Sequence, residues 1–237
     1  MDIFVLIISC IISYLLGGIS VARIITKKNN NAGITNEGSG NPGTMNMLRN
    51  HGIGMGLFTL LCDALKGVIP ALFGLFYFKD YGDHVAYTAL YLFGLCAVIG
   101  HIFPIYYKFK GGKGIATTFG VFLVAAPRTS LVLFVIMVIA LLLVRIGSVV
   151  SLLFITIQAV VQMFMPYASG NWPTIVLIWF MILLDIWAHR ANLVRLVDDK
   201  ENPADLQDSI QKDIDKIKTK RKQKKDTVTT AEPEEKK

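Results

Sequence analysis

TSLVLFVIMVIALLLVRI, residues 129–146, holds one charged residue in eighteen, Arg145, next to its end. From residue 131 to residue 144 nothing polar interrupts it, so it has no hydrophilic face to turn toward water. At about 1.5 Å per residue, roughly 20 such residues cross the ~30 Å hydrocarbon of a bilayer. The stretch therefore reads as a membrane-spanning helix. Outward from it, six more apolar segments stand between polar or Gly/Pro breaks: 3–26, 53–78, 85–107, 115–126, 148–166 and 172–188. The segment 115–126 offers only about a dozen apolar residues before Pro127, and either crosses a thinned bilayer or re-enters on the same side. The expected fold is all-α, a bundle of seven transmembrane helices with a short fourth.

The 237 residues are 53% hydrophobic and 17% charged, with a mean hydropathy of +0.52. Residues 1–197 hold 13 Lys+Arg and 6 Asp+Glu, whereas residues 198–237 hold 11 of each, so the entire surplus of seven positive charges belongs to the apolar part. A soluble enzyme, a nucleic-acid-binding domain and a disordered chain are excluded as descriptions of the whole. Two regions follow: a transmembrane domain, 1–197, and a charged, partly disordered cytoplasmic tail, 198–237. Within the tail Ile210, Ile214 and Ile217 form a short helical stripe, and the basic run 216–225 is suited to anionic lipid. The first segment lacks a basic start and a small-residue cleavage site, and reads as a retained span. Cys10, Cys62 and Cys96 sit singly in apolar runs and read as small core residues; no metal ligand set and no cofactor are implied.

If all seven segments cross, one side receives Arg23, Lys27, Lys28, Arg49, Lys108, Lys110, Lys113, Arg145, Arg190 and Arg195, the other only Lys79 and Arg128. Lys and Arg in short loops mark the cytoplasm, which puts the N-terminus outside and the C-terminus inside. The polar and glycine-rich sequence gathers on that same cytoplasmic side, in three stretches.

The first is EGSGNPGTMNMLR, residues 37–49. Gly38, Gly40 and Gly43 let backbone N–H groups turn toward an anion, Ser39, Asn41, Thr44 and Asn46 add directed hydrogen bonds, and Arg49 adds a fork for phosphate or carboxylate. The second is GHIFPIYYKFKGGKG, residues 100–114, in which Lys110, Gly111, Gly112, Lys113 and Gly114 precede a helix start, where N–H groups and the dipole favour phosphate. Its spacing is not that of a nucleotide-binding loop. The third is HRANLVR, residues 189–195, placing His189, Asn192 and Arg195 on one broad helical face, with Asp185 one turn before His189. Asp63 and Lys66, three apart inside the second span, are either a core ion pair or part of the anion site.

Gly38-Ser39-Gly40-Asn41-x-Gly43 with Asn46 and Arg49, Gly100-His101-x-x-Pro104 with Lys110-Gly111-Gly112-Lys113-Gly114, His189-x-x-Asn192-x-x-Arg195, and Asp63-x-x-Lys66-Gly67 together resemble the signature of the bacterial integral-membrane acyl-phosphate:glycerol-3-phosphate acyltransferases. The resemblance runs from the first span to about residue 201, with Met45 standing where the family's first motif carries threonine and Asp199 where a glycine is usual. It implies a multi-pass enzyme of the bacterial cell membrane, its active site facing the cytoplasm. The enzyme would move a fatty acyl group from long-chain acyl phosphate to the sn-1 hydroxyl of glycerol 3-phosphate, giving lysophosphatidic acid and phosphate, supplied by an enzyme that makes acyl phosphate. The His-x4-Asp element of other glycerol-phosphate acyltransferases is missing: none of His51, His84, His101 or His189 has Asp five positions on.

Under that reading Ser39, Asn41, Lys113, His189 and Asn192 are the catalytic group. Gly38, Gly40, Gly43, Thr44, Asn46, Arg49, Lys66, His101, Lys110, Gly111, Gly112, Gly114 and Arg195 bind the substrates. Membrane lipid surrounds the protein and no nucleic acid is a partner. Two other readings are a transporter of a phosphorylated solute and a non-catalytic relative. The first lacks an internal repeat and a second anion-binding mouth, and only Met45 motivates the second.

Overall fold

Two glycines set how closely the central helices approach. A Cβ on Gly67 would collide with the Thr117 carbonyl and one on Gly120 with the Ala64 carbonyl, so α4 (Ile53–Tyr77) and α6 (Ile115–Ala125) lie backbone against backbone. Small residues at such crossings are how membrane helices gain contact when apolar burial alone gives no preference over lipid. Gly74 opposes Ala89 of α5 (Asp83–Ile102) in the same way.

The structure, a computed structural model, describes residues 3–30, 33–203 and, in the tail, 209–211, 213–215 and 217–219. Around α4, α5 and α6 stand α1 (Ile3–Gly17), which leads into α2 (Val21–Asn30), then α3 (Thr44–His51), α7 (Pro127–Val144), α8 (Gly147–Met163), α9 (Trp172–Ala188) and α10 (Arg190–Val197). Every apolar segment of the sequence is a helix, and no strand occurs among the described residues. The core joins Tyr91, Val98, Phe119, Phe122, Phe154 and Met181 from α5, α6, α8 and α9. Around it α7 turns out Leu131, Val132, Val135, Ile136, Ile139 and Leu143, as a lipid-facing helix does.

The described residues contain four helices long and apolar enough to cross a membrane, or five if α9 and α10, bent by 50° at their junction, count as one span. The sequence predicts seven. The difference falls on α6 and α8: eleven and seventeen residues reach roughly 16 and 26 Å. Most of α6 is buried against α4, α5, α7 and α8, so protein surrounds it. The three tail pieces are helical, and apart from residues 217–219 the basic run 216–225 lies outside the described residues.

Candidate active site

The three polar stretches meet at one end of the bundle, where the starts of α4, α6 and α8 face the ends of α5, α7 and α9. The first loop reaches this position through Asn46, which is 1% exposed. Its Nδ2 donates to the Ile34 and Glu37 carbonyls at 3.3 and 3.0 Å, while its Oδ1 accepts the Ser39 N–H and Asn50 Nδ2, both at 3.0 Å. Asn46 thus spends its full bonding capacity on shaping the loop. Gly38, at φ 53°, faces both amides, and a Cβ there would meet Asn46 and Asn50.

The second loop folds back on α5. Gly111 N–H donates to the Ile102 carbonyl and Gly112 N–H to the His101 carbonyl, each at 3.0 Å. These two N–H groups, which the sequence reading offers to a phosphate, are therefore committed within the protein. The Lys110 carbonyl accepts Arg23 at 2.6 Å, and the Lys110 side chain points outward. Gly114, at φ 91°, starts α6 with Asp185 pressed against its Cα, leaving Lys113 aimed inward. Burial pushes the Lys113 ammonium down to about 8; Glu201 works against the shift, while Arg195 and Arg49 add to it by like-charge repulsion.

In the third stretch His189 sits at the bend after α9 and is 2% exposed. Its Nδ1 lies 2.8 Å from the Asp185 carbonyl, an acceptor only, so Nδ1 carries the proton and Nε2 carries the lone pair. The sequence assigns Asp185 to orient this ring; its main chain does so, and its carboxylate is buried elsewhere, against Gly114. Burial, then Lys113, lowers the imidazole to about 4 and keeps it neutral near pH 7.

Lys66 donates to Asp63 at 2.5 Å, deep in α4, and Asp63 Oδ1 stands 3.8 Å from His101 Nδ1. Lys66 thus acts behind the site: Asp63 and His101 border the pocket, and His101 packs under Gly112.

What these loops enclose is a pocket of about 380 Å³. Of the predicted residues it is bordered by Ser39, Asn41, Gly43, Thr44, Asn46, Arg49, His101, Lys113, Gly114, His189 and Asn192. Gly38, Gly40, Lys66, Lys110, Gly111, Gly112 and Arg195 stand outside the lining. The Thr44 hydroxyl and Asn192 Oδ1 are buried, with no hydrogen-bond partner among the described residues. Away from the polar end, the wall is Leu57, Leu60, Phe134, Val138, Leu141 and Leu142 from α4 and α7.

Two features escape the sequence reading. Glu201 accepts Asn192 Nδ2 at 2.6 Å and Arg195 Nε at 3.1 Å, and so locks the third stretch. Burial works to raise its carboxyl, but the hydrogen bonds from Asn192 and Arg195 and the Arg195 charge outweigh it and hold the group below the usual range. Ser148, at the start of α8, borders the pocket beside it. Met45, which the sequence marks as a departure from the family's threonine, also lines the pocket, its methyl against Gly147. Ser148 carries no signal of its own; Glu201 has one in its position just past the Arg195 turn, masked by the acidic residues around it.

A partly buried lysine near arginines, a neutral histidine and an apolar slot, set in a bundle of apolar helices, make a pocket with the character of an integral-membrane protein's site, polar at one end and alkyl-lined at the other. The comparisons make this specific. Residues 7–199 match the family described as glycerol-3-phosphate acyltransferase, and the chain belongs to that family. A glycerol-3-phosphate acyltransferase of Halalkalibacterium halodurans is 39% identical over 192 residues, 80% of this chain and 91% of that one. The Finegoldia magna protein of the same name is 37% identical over 206 residues, 85% and 98% of the two chains. Among solved structures, PlsY (YgiH), an integral membrane glycerol 3-phosphate acyltransferase, superposes in its glycerol 3-phosphate form with a TM-score of 0.75 at 31% identity, covering 84% of this chain and 94% of that one. The lysophosphatidic acid form of PlsY gives 0.74 at 30%.

Proposed function

We propose that this protein transfers a fatty acyl group from a long-chain acyl phosphate to the sn-1 hydroxyl of glycerol 3-phosphate, yielding lysophosphatidic acid and phosphate, at the cytoplasmic face of a bacterial cell membrane. The observation that carries the reading is one pocket with two halves: cations and directed polar groups at one end, an alkyl-lined wall at the other. The seven-span topology, N-terminus outside and C-terminus cytoplasmic, belongs to the same proposal, with α6 and α8 as short protein-sheltered spans. So does the division into a transmembrane domain and a tail; the bonds from Asn192 and Arg195 to Glu201 support a working boundary beyond residue 197.

Acyl phosphate is already activated, so positioning and charge stabilisation suffice. In this account Lys113 and the first turn of α6 hold the donor's phosphate, and the acyl chain lies along Leu57, Leu60 and Leu141. Ser39, Asn41, Thr44, Arg49 and Asn192 bind glycerol 3-phosphate. His189 Nε2, an acceptor only, accepts a hydrogen bond from one of its hydroxyls and fixes its orientation. The attacking sn-1 oxygen bonds to the acyl carbon, the carbon–oxygen bond to phosphate breaks, and the hydroxyl proton passes to the departing phosphate. A histidine lowered to about 4 is too weak a base to compete with that phosphate for the proton. Lys66, His101, Gly111 and Gly112 act by holding the Lys113 loop, and Asn46, Gly38 and Gly40 by holding the first loop; Lys110 and Arg195 contribute charge at the rim.

Donor choice is tested by offering the purified protein palmitoyl phosphate or palmitoyl-CoA with glycerol 3-phosphate. Lysophosphatidic acid is expected from the phosphate alone. Equal rates with the thioester would refute the proposed donor.

A further inference from the structure

The family match ends at residue 199, yet the chain beyond it returns to the site. Arg49 draws it across α3, donating through Nε to the Pro203 carbonyl at 2.9 Å and through its terminal nitrogen to the Asn202 carbonyl at 2.8 Å. Farther along, Ser209 is fully buried and Ile210 borders the substrate pocket with Ile53 and Leu57. One turn later Asp213 meets the start of α4: its Oδ2 accepts the Gly54 N–H at 3.0 Å, and its Oδ1 fills the space that a Cβ on Gly52 would need.

That contact answers a local need. The first N–H groups of a helix lack intrahelical acceptors, and the residue capping α4 is Gly52, with no side chain to supply one. Asp213, 159 residues downstream of Gly54, supplies both the acceptor and a negative charge at the positive end of the helix dipole. Gly52, at φ 92°, is also what leaves room for it.

We propose that the C-terminal extension is a working part of the pocket: Asp213 pins the tail to the N-terminus of α4, and the tail thereby presents Ile210 as an apolar wall, making Ile210 a specificity-determining residue for the acyl donor. The assignment to the donor rests on the acyl-transfer reading above. Ile210 lines the pocket one turn before the residue that docks on the start of α4, and its side chain offers the glycerol phosphate no polar atom. Ile214 continues its stripe one turn on, and both are partly exposed, at 44% and 40%, as residues that complete their contacts on ligand or lipid would be.

The test uses full-length Ile210→Ala, Asp213→Ala and Asp213→Asn, measuring the KM of each substrate separately and the amide exchange of residues 52–56. Ile210→Ala and Asp213→Ala each raise the KM for palmitoyl phosphate about three- to tenfold, the loss of one partly buried aliphatic contact, and leave the KM for glycerol 3-phosphate unchanged. The Ile210→Ala/Asp213→Ala double variant adds little to either change, because both remove one wall. Asp213→Ala speeds exchange at residues 52–56, and Asp213→Asn, which keeps an acceptor oxygen, restores both readouts. Unchanged KM values, or an equal rise for both substrates, would overturn the role of Ile210, and unchanged exchange would overturn the docking. A wild-type protein that transfers no acyl group would instead sink the acyltransferase reading and the donor assignment with it, leaving exchange to decide the docking.

Discussion

Lys113→Ala lowers kcat/KM for palmitoyl phosphate by about 10²–10³-fold, the usual loss when a preorganised charge at a developing anion is removed. Lys113 lines the pocket from a loop fixed at both sides, by the Gly111 and Gly112 bonds to α5 and by Gly114 at the start of α6. Removing the amine leaves those bonds in place, so the loss is one of chemistry, visible as unchanged thermal unfolding beside lost phosphate release. The pH dependence sharpens the assignment. The free enzyme's Lys113 is charged below about 8 and neutral above it, so wild-type kcat/KM for the donor falls as pH rises through that value. Lys113→Arg keeps its charge across the range, and its profile loses the alkaline limb, at reduced activity because the planar guanidinium does not match the point contact of an ammonium. An alkaline limb that persists in Lys113→Arg would assign it to another group.

His189→Gln is the second large effect, a fall of about 10²-fold in kcat/KM for glycerol 3-phosphate. The neutral imidazole offers Nε2 as an acceptor because Nδ1 is occupied by the Asp185 carbonyl. A glutamine amide in its place loses that backbone anchor and, with it, a fixed acceptor. Since the ring titrates at about 4, wild-type activity shows no His189 limb between pH 5 and 8. The measurement is the glycerol 3-phosphate KM and kcat of the variant at several pH values. A loss confined to kcat, with a wild-type limb near pH 6, would make His189 the base and displace the departing phosphate from that role.

The fold was largely legible because a membrane helix announces itself locally: residues 131–144 need no partner to be read as a span. What could not be read was how the short apolar helices are accommodated. α6 sits in the bundle because Gly67 and Gly120 permit backbone contact with α4, and that is a property of the pair. The site was legible as three loops, since glycine, lysine and arginine in dense runs are rare next to apolar sequence. Their division of labour was not. Asn46 and Gly111 look like ligand groups in one dimension, and in three their hydrogen-bonding capacity is spent on shaping the protein. Lys66, a candidate for the anion, is matched to Asp63 on the same helix. Glu201 and Asp213 were hidden for a different reason: each sits in a tail as rich in acid as in base, and only the return of the chain to α10 and α4 distinguishes them from their neighbours.

The most direct test of the central claim is to give the purified protein palmitoyl phosphate and glycerol 3-phosphate and to quantify phosphate and lysophosphatidic acid in the same samples. The account predicts equal amounts of the two products, an ester on the sn-1 oxygen, and no phosphate released when glycerol 3-phosphate is withheld. Phosphate without lysophosphatidic acid, or a folded protein that releases none, would contradict it.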